Sequence, residues 1–222
     1  MKAVAAGAFG VMALLQIAVP LADERAGLTT AVVVAFAVTT TVLAAGLWGW
    51  GRTLAVGTAV VLGALVVEEV GSETGWPFGS YRYGDALAPQ VLGVPVAVCL
   101  AWWAMALPAR EVAARLVGPG WPRVAVGAVA LTAWDVFLDP QMVDEGFWTW
   151  AGGGPWREVP LTNYAGWLAV SALLMAALEQ ALPVREPSNG LLGLYAWWAA
   201  MSCLGFLVFF GDPLVGVVGG LC

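Results

Sequence analysis

Long apolar runs alternate with short polar breaks along this chain, and the breaks fix its layout. A transmembrane helix takes roughly 20 apolar residues, within a range of about 17–25. Seven runs meet that length: Val4–Leu21, Thr29–Trp50, Thr53–Val70, Pro89–Leu107, Trp121–Leu138, Leu161–Leu182 and Leu191–Phe210. Between them fall Asp23-Glu24-Arg25, Gly51-Arg52, the stretch from Pro108 to Pro122, and the stretch from Pro183 to Gly190. These are helix-stopping signals. The pattern predicts an all-α, polytopic helical bundle forming one transmembrane domain over residues 1–222. The apolar tail after Gly211 is too short to span. Lys2 ahead of the first run resembles a secretion leader, but Pro20 occupies a position before Ala22 where cleavage needs a small residue. The first run therefore reads as a helix that stays.

Two interruptions differ from the rest. Glu68–Pro95 joins the third and fourth runs, and Asp139–Pro160 joins the fifth and sixth. The parts lying between the runs, 71–88 and 139–160, are each about twenty residues long, and long loops among short ones are usually functional. Pro77, Pro89, Pro155 and Pro160, with glycines beside them, predict folded turns. Seven spans put both interruptions on one membrane face.

Composition agrees with a lipid environment. The 222 residues are 61% hydrophobic and 11% charged, with a mean hydropathy of +0.84; a water-soluble domain carries about 25% charge. Thirteen tryptophans suit bilayer interfaces or an apolar pocket. Cys99, Cys203 and Cys222 have neither disulfide-framework nor metal-ligand spacing. Histidine is absent altogether. That removes His-ligated haem, Ser–His and Cys–His dyads and His-box di-iron centres. Acid–base chemistry here rests on Asp, Glu, Tyr or the water they hold.

Charge also sets an expected orientation. Lys2, Arg52, Arg110, Arg115, Arg123 and Arg185 fall on one side, Arg25, Arg82 and Arg157 on the other. The excess predicts a cytoplasmic amino terminus in a multi-pass cell-membrane protein. Three carboxylates (Glu111, Glu179, Glu186) share the basic side, and the other twelve of the fifteen lie opposite. Acidic residues hardly influence insertion, so their asymmetry marks a site.

Asp135 lies within the fifth run and Asp139 follows one turn later, on the same helix face and about 6 Å further along the axis. An ionised acid at membrane depth costs about 2.5–3.5 kcal/mol, so such residues face a cavity and carry function. Asp139-Pro140 also reads as a turn that ends the helix. Glu68 and Glu69 point to different faces, so one of them looks into the bundle. Asp85 and Asn163 each read either as site residues or as helix caps.

At these positions the chain resembles a family of membrane carotenoid-biosynthesis proteins that includes bisanhydrobacterioruberin hydratases and γ-carotene 1′-hydratases. One block is Glu68, Gly71, Thr74-Gly75, Pro77-Phe78-Gly79, Tyr81, Tyr83, Asp85, Leu87, Pro89 and Gly93-Val94-Pro95. The other is Trp134-Asp135, Leu138-Asp139-Pro140, Met142, Gly146 to Trp150 and Val159 to Trp167. With their adjoining helices the blocks cover about two-thirds of the chain. It departs from the family pattern at Trp156-Arg157-Glu158. The resemblance implies hydration of a carotenoid's terminal isopropylidene double bond to a tertiary alcohol, with neither oxygen nor a redox cofactor.

The residues suit that chemistry independently. Water addition to an unactivated alkene needs a strong proton donor, shelter for a tertiary carbocation, and a positioned water. A carboxylic acid among apolar side chains keeps its proton at neutral pH. Aromatic faces stabilise a cation by roughly 2 kcal/mol each where water is excluded. Asp135 or Asp139 is the expected acid and Glu68 the base, with Trp76, Phe78, Tyr81, Tyr83, Trp134, Trp148 and Trp150 as the lining. Two other classes compete. A carotenoid- or isoprenoid-binding or transport protein would use the same cavity without turnover. A prenyltransferase would use Asp135-x-x-x-Asp139 as half of a paired Mg²⁺-diphosphate motif, but the second half is missing. No Gly-x-Gly-x-x-Gly follows a strand, which disfavours flavin or nicotinamide binding. A net charge of −6 and the hydrophobicity exclude a nucleic-acid partner.

Overall fold

The structure is a computed structural model that describes residues 2–222. Among the described residues, seven helices are long and apolar enough to cross a membrane. They are α1 (Lys2–Ala18, continued by a 3-10 turn at Val19–Leu21), α2 (Ala26–Trp48), α3 (Trp50–Thr74), α4 (Val96–Leu116), α5 (Trp121–Asp144), α6 (Leu161–Ala181) and α7 (Asn189–Val208). An eighth, shorter helix, α8 (Pro213–Leu221), accounts for the apolar tail and packs back on α7 and α5. Helix α4 is the hub. Of its most apolar window 78% is buried, against 22% for α1, α3 and α7. The leucines and valines left outside α1, α3, α6 and α7 form the surface a bilayer would cover.

The three largest differences in helix boundary from the sequence reading each have a physical reason. Helix α4 starts at Val96 rather than Pro89, because residues 90–95 form a small hairpin of β2 (Gln90–Val91) and β3 (Val94–Pro95). At its other end α4 continues through Pro108 to Leu116. A proline inside a helix has no N–H for the carbonyl four residues back. Here that carbonyl is Ala104 O, and the Thr40 hydroxyl of α2 donates to it at 2.9 Å. Helix α5 likewise passes through Pro140 to Asp144. The orphaned carbonyl is Val136 O, and the Trp156 indole N–H donates to it at 3.3 Å. Both helices survive their prolines because a neighbouring element supplies the missing donor.

The extension of α4 also relocates charges first read as a loop. Arg110 and Glu111 are fully buried in it. Arg110 pairs with Glu111 at 3.1 Å and with Glu179 of α6 at 2.9 Å, Arg123 of α5 reaches Glu179 at 3.4 Å, and the Ser188 backbone N–H donates to Glu111 at 2.6 Å. This network ties α4, α5, α6 and the start of α7 together at the end of the bundle remote from the long loops.

At the near end the two long loops meet. Strand β1 (Tyr81–Tyr83) of the first pairs antiparallel with β4 (Trp148–Trp150) of the second, Tyr81 opposite Trp150 and Tyr83 opposite Trp148. This ribbon caps the helices. Gly75, in the left-handed conformation at φ 77°, ends α3 with its N–H on Gly71 O and turns the chain toward β1.

Candidate active site

Beneath the ribbon lies a cavity of about 430 Å³. It is walled by α1 to α7 and roofed by β1 and β4, and its lining is mostly apolar and aromatic. That size suits the end of an apolar ligand held by a few polar groups. The polar groups fall into two sets.

The first set surrounds Glu68, near the end of α3. Its carboxylate accepts from Tyr81 Oη at 2.6 Å, Tyr83 Oη at 2.7 Å and Trp102 Nε1 at 2.7 Å. Three donors aimed at two oxygens is an arrangement for an acceptor-only carboxylate. Burial first, and the neighbouring Glu68 second, push both phenols well above their ordinary range, so each stays a neutral donor. Gly71, one turn beyond Glu68, makes room for this. A Cβ there would stand 2.8 Å from Tyr81 Oη and 2.9 Å from the Phe78 ring.

The second set is Asp135, Asp139 and Asn163. The two aspartates share one face of α5 and are both buried. Asn163, in the first turn of α6, donates its amide to Asp135 Oδ2 at 2.8 Å and also to Asp139 Oδ2. Trp148 Nε1 donates to Asp139 Oδ1 at 3.0 Å. Asp139 and Asn163 face the cavity, whereas Asp135 sits behind them. The Oδ1 of Asp135 is buried and has no partner among the described residues.

Aromatic rings fill the space between. Trp102 and Trp167 stack with centroids 4.1 Å apart, and Trp134 meets Trp167 edge-on at 6.3 Å. Gly166 lets α6 approach the first loop, since a Cβ there would lie 2.7 Å from Pro77 O. Beside the cavity runs a polar cleft of about 490 Å³ under the second loop, and the two share Gln141 and Phe210 in their walls.

Residues 27–214 match the family described as carotenoid biosynthesis protein. The chain belongs to that family. Among curated relatives, it is 34% identical over 119 residues to the bisanhydrobacterioruberin hydratase of Haloarcula japonica. That match takes in 50% of this chain and 39% of the relative's length. No solved structure matches.

Within this family member, Glu68, Phe78, Tyr81, Tyr83, Trp134, Asp139, Trp148, Trp150 and Asn163 all line the cavity. Three residues selected from the sequence do not, and of these Asp135 sits directly behind the lining. Trp76 is 73% exposed at the turn after α3, and Asp85 is exposed beside β1, outside the lining. Asp85 is not a helix cap either, because the hairpin intervenes and Pro95 precedes α4. Nor does Asn163 cap α6; Pro160 holds that position and the Asn163 amide is turned inward. Glu69 is half-buried and away from the lining. The sequence reading missed Trp102, Trp167 and Trp198. Their signal was depth: Trp102 sits mid-helix rather than at a membrane interface, where tryptophan is usual.

Proposed function

We propose that this protein is a carotenoid hydratase, adding water across the terminal isopropylidene double bond of a polyene to give a tertiary alcohol. The observation that carries the reading is the buried Asp135–Asn163–Asp139 group facing Glu68 across a ring-lined apolar cavity. Membership of a carotenoid-biosynthesis family and the likeness to a hydratase support it.

In this mechanism the aspartates hold one proton between them, because two ionised carboxylates on one amide donor, away from water, would repel. Asp139 delivers that shared proton to the less substituted alkene carbon, and Asp135 behind it, tied through the Asn163 amide, holds Asp139 in position. The tertiary cation forms against the faces of Trp102, Trp134 and Trp148. Ionised Glu68, fixed by its three donors, opposes the charge without reorganising. Water from the polar cleft passes Gln141 and bonds through oxygen to the cation, and its proton goes to Glu68. One water is consumed, no electron is transferred, and the cycle closes when the proton returns to the aspartates through water. The amino terminus lies in the cytoplasm in this reading, which places the site at the external leaflet.

The test is expression in a cell that accumulates an acyclic polyene, with pigments weighed by mass spectrometry. A gain of one water is expected from the native chain and none from Asp139→Asn. Unchanged pigment in cells holding folded native protein would overturn the reading. A carrier would bind pigment and leave its mass alone.

A further inference from the structure

We propose that the polyene reaches the cavity sideways from the bilayer, through a gap between the end of α1 and the outer half of α7. The inference rests on the hydratase reading for the identity of its occupant. Of all the residues that line the cavity, four are also exposed: Ile17 at 43%, Leu21 at 70%, Leu204 at 44% and Phe209 at 48%. Two lie at the end of α1 and its 3-10 turn, and two lie on or just past α7. Every other lining residue is buried or half-buried. The cavity therefore opens at one seam, and the rim of that seam is apolar.

The seam is bounded at both ends. Toward the remote end of the bundle, α1 and α7 are pinned together. Trp197 Nε1 donates to Gln16 Oε1 at 2.8 Å, and its ring meets Phe9 edge-on at 5.2 Å. Leu204 lies seven residues past Trp197, about 10 Å further along the helix. Toward the aqueous end, Arg25 closes the gap by pairing with Glu145 at 2.5 Å and resting its guanidinium 5.9 Å from the Phe210 ring centre. Between pin and latch every exposed residue of the rim is a hydrocarbon side chain.

A conjugated polyene is rod-like and does not coil into 430 Å³. Only its end fits, so the rest must leave through a wall. The one apolar, exposed break in that wall is this seam, and the polar cleft serves water separately. The polyene rod then lies in the seam with Ile17 and Leu204 on either side.

Site-specific photo-cross-linking in membranes tests the seam. Benzoylphenylalanine replaces Ile17 or Leu204, and in controls Leu62 of α3 or Leu173 of α6, both exposed on the outer apolar surface. The probe is lycopene, an acyclic polyene with isopropylidene ends. Polyene adducts several-fold more abundant at Ile17 and Leu204 than at the controls are expected. Equal labelling at all four positions, or none at the seam, in protein that still hydrates lycopene would overturn the seam and leave the hydratase reading standing. Seam adducts with no hydrated product from the native chain would do the reverse.

Discussion

Tyr83 and Trp148 face one another across the two-stranded ribbon, their rings edge-on at 5.8 Å. Tyr83 donates to Glu68, and Trp148 donates to Asp139. One cross-strand pair thus sets the spacing between the two acidic groups, although they arise from helices α3 and α5.

Removing either carboxylate separates chemistry from binding. Asp139→Asn and Glu68→Gln should each lower hydration at least about 100-fold, the low end for a general acid or base. Bound pigment should persist in both. Product and co-purified pigment are read from the same preparation by chromatography. Full activity in both variants would end the assignment.

Asn163 is the next test. Asn163→Leu leaves two buried carboxyl groups without their shared donor, at a cost of about 1–3 kcal/mol in stability. Hydration per folded molecule should drop by at least about tenfold. Thermal unfolding in detergent and the product yield measure the two effects separately, and undiminished turnover would reduce Asn163 to a packing residue.

Thr40→Val makes an orthogonal prediction. It keeps the side-chain shape and strands Ala104 O, which Pro108 cannot satisfy, so stability should fall by about 1–3 kcal/mol. Trp156→Phe should do the same for Val136 O beside Pro140. Hydration per folded molecule should be unchanged in Thr40→Val, because that contact lies outside the cavity.

The second loop carries a pH-dependent tie. Arg157 donates two hydrogen bonds to Asp212, the cap of α8, and these hold the Asp212 carboxyl below the usual aspartate range. A depressed carboxyl stabilises the fold above its unfolded value and loses that contribution as pH falls through the folded one. Release of α8 should therefore set in as pH falls through the ordinary Asp range and continue below it, and Asp212→Asn should mimic it at neutral pH. The pair is partly exposed, so the effect should stay under about 1 kcal/mol. Protease sensitivity of the carboxyl terminus against pH reads it out.

The seven spans were legible because hydrocarbon demands continuous apolar runs, and Asp135 with Asp139 stood out because acids are costly there. The helix ends at Pro108 and Pro140 were not legible. What rescues them is a hydroxyl on α2 and an indole on the second loop, and nothing local announces either donor. Arg110 and Glu111 looked like loop charges for the same reason. Asp85 belongs to the motif that marks the site and Trp76 fills one of its free positions, yet the turn after α3 and the β2–β3 hairpin carry them outward. Their neighbours Phe78, Tyr81 and Leu87 point in, and that difference is one of chain direction rather than residue type.

The ribbon also governs when the centre comes into being. Its first strand leaves the ribosome before the α4–α5 hairpin and its second only afterwards, so Glu68 and Asp139 cannot be locked in place until five helices have been threaded. A chain still being synthesised thus holds Glu68 and Asp139 on separate, unjoined loops until its second long loop has emerged.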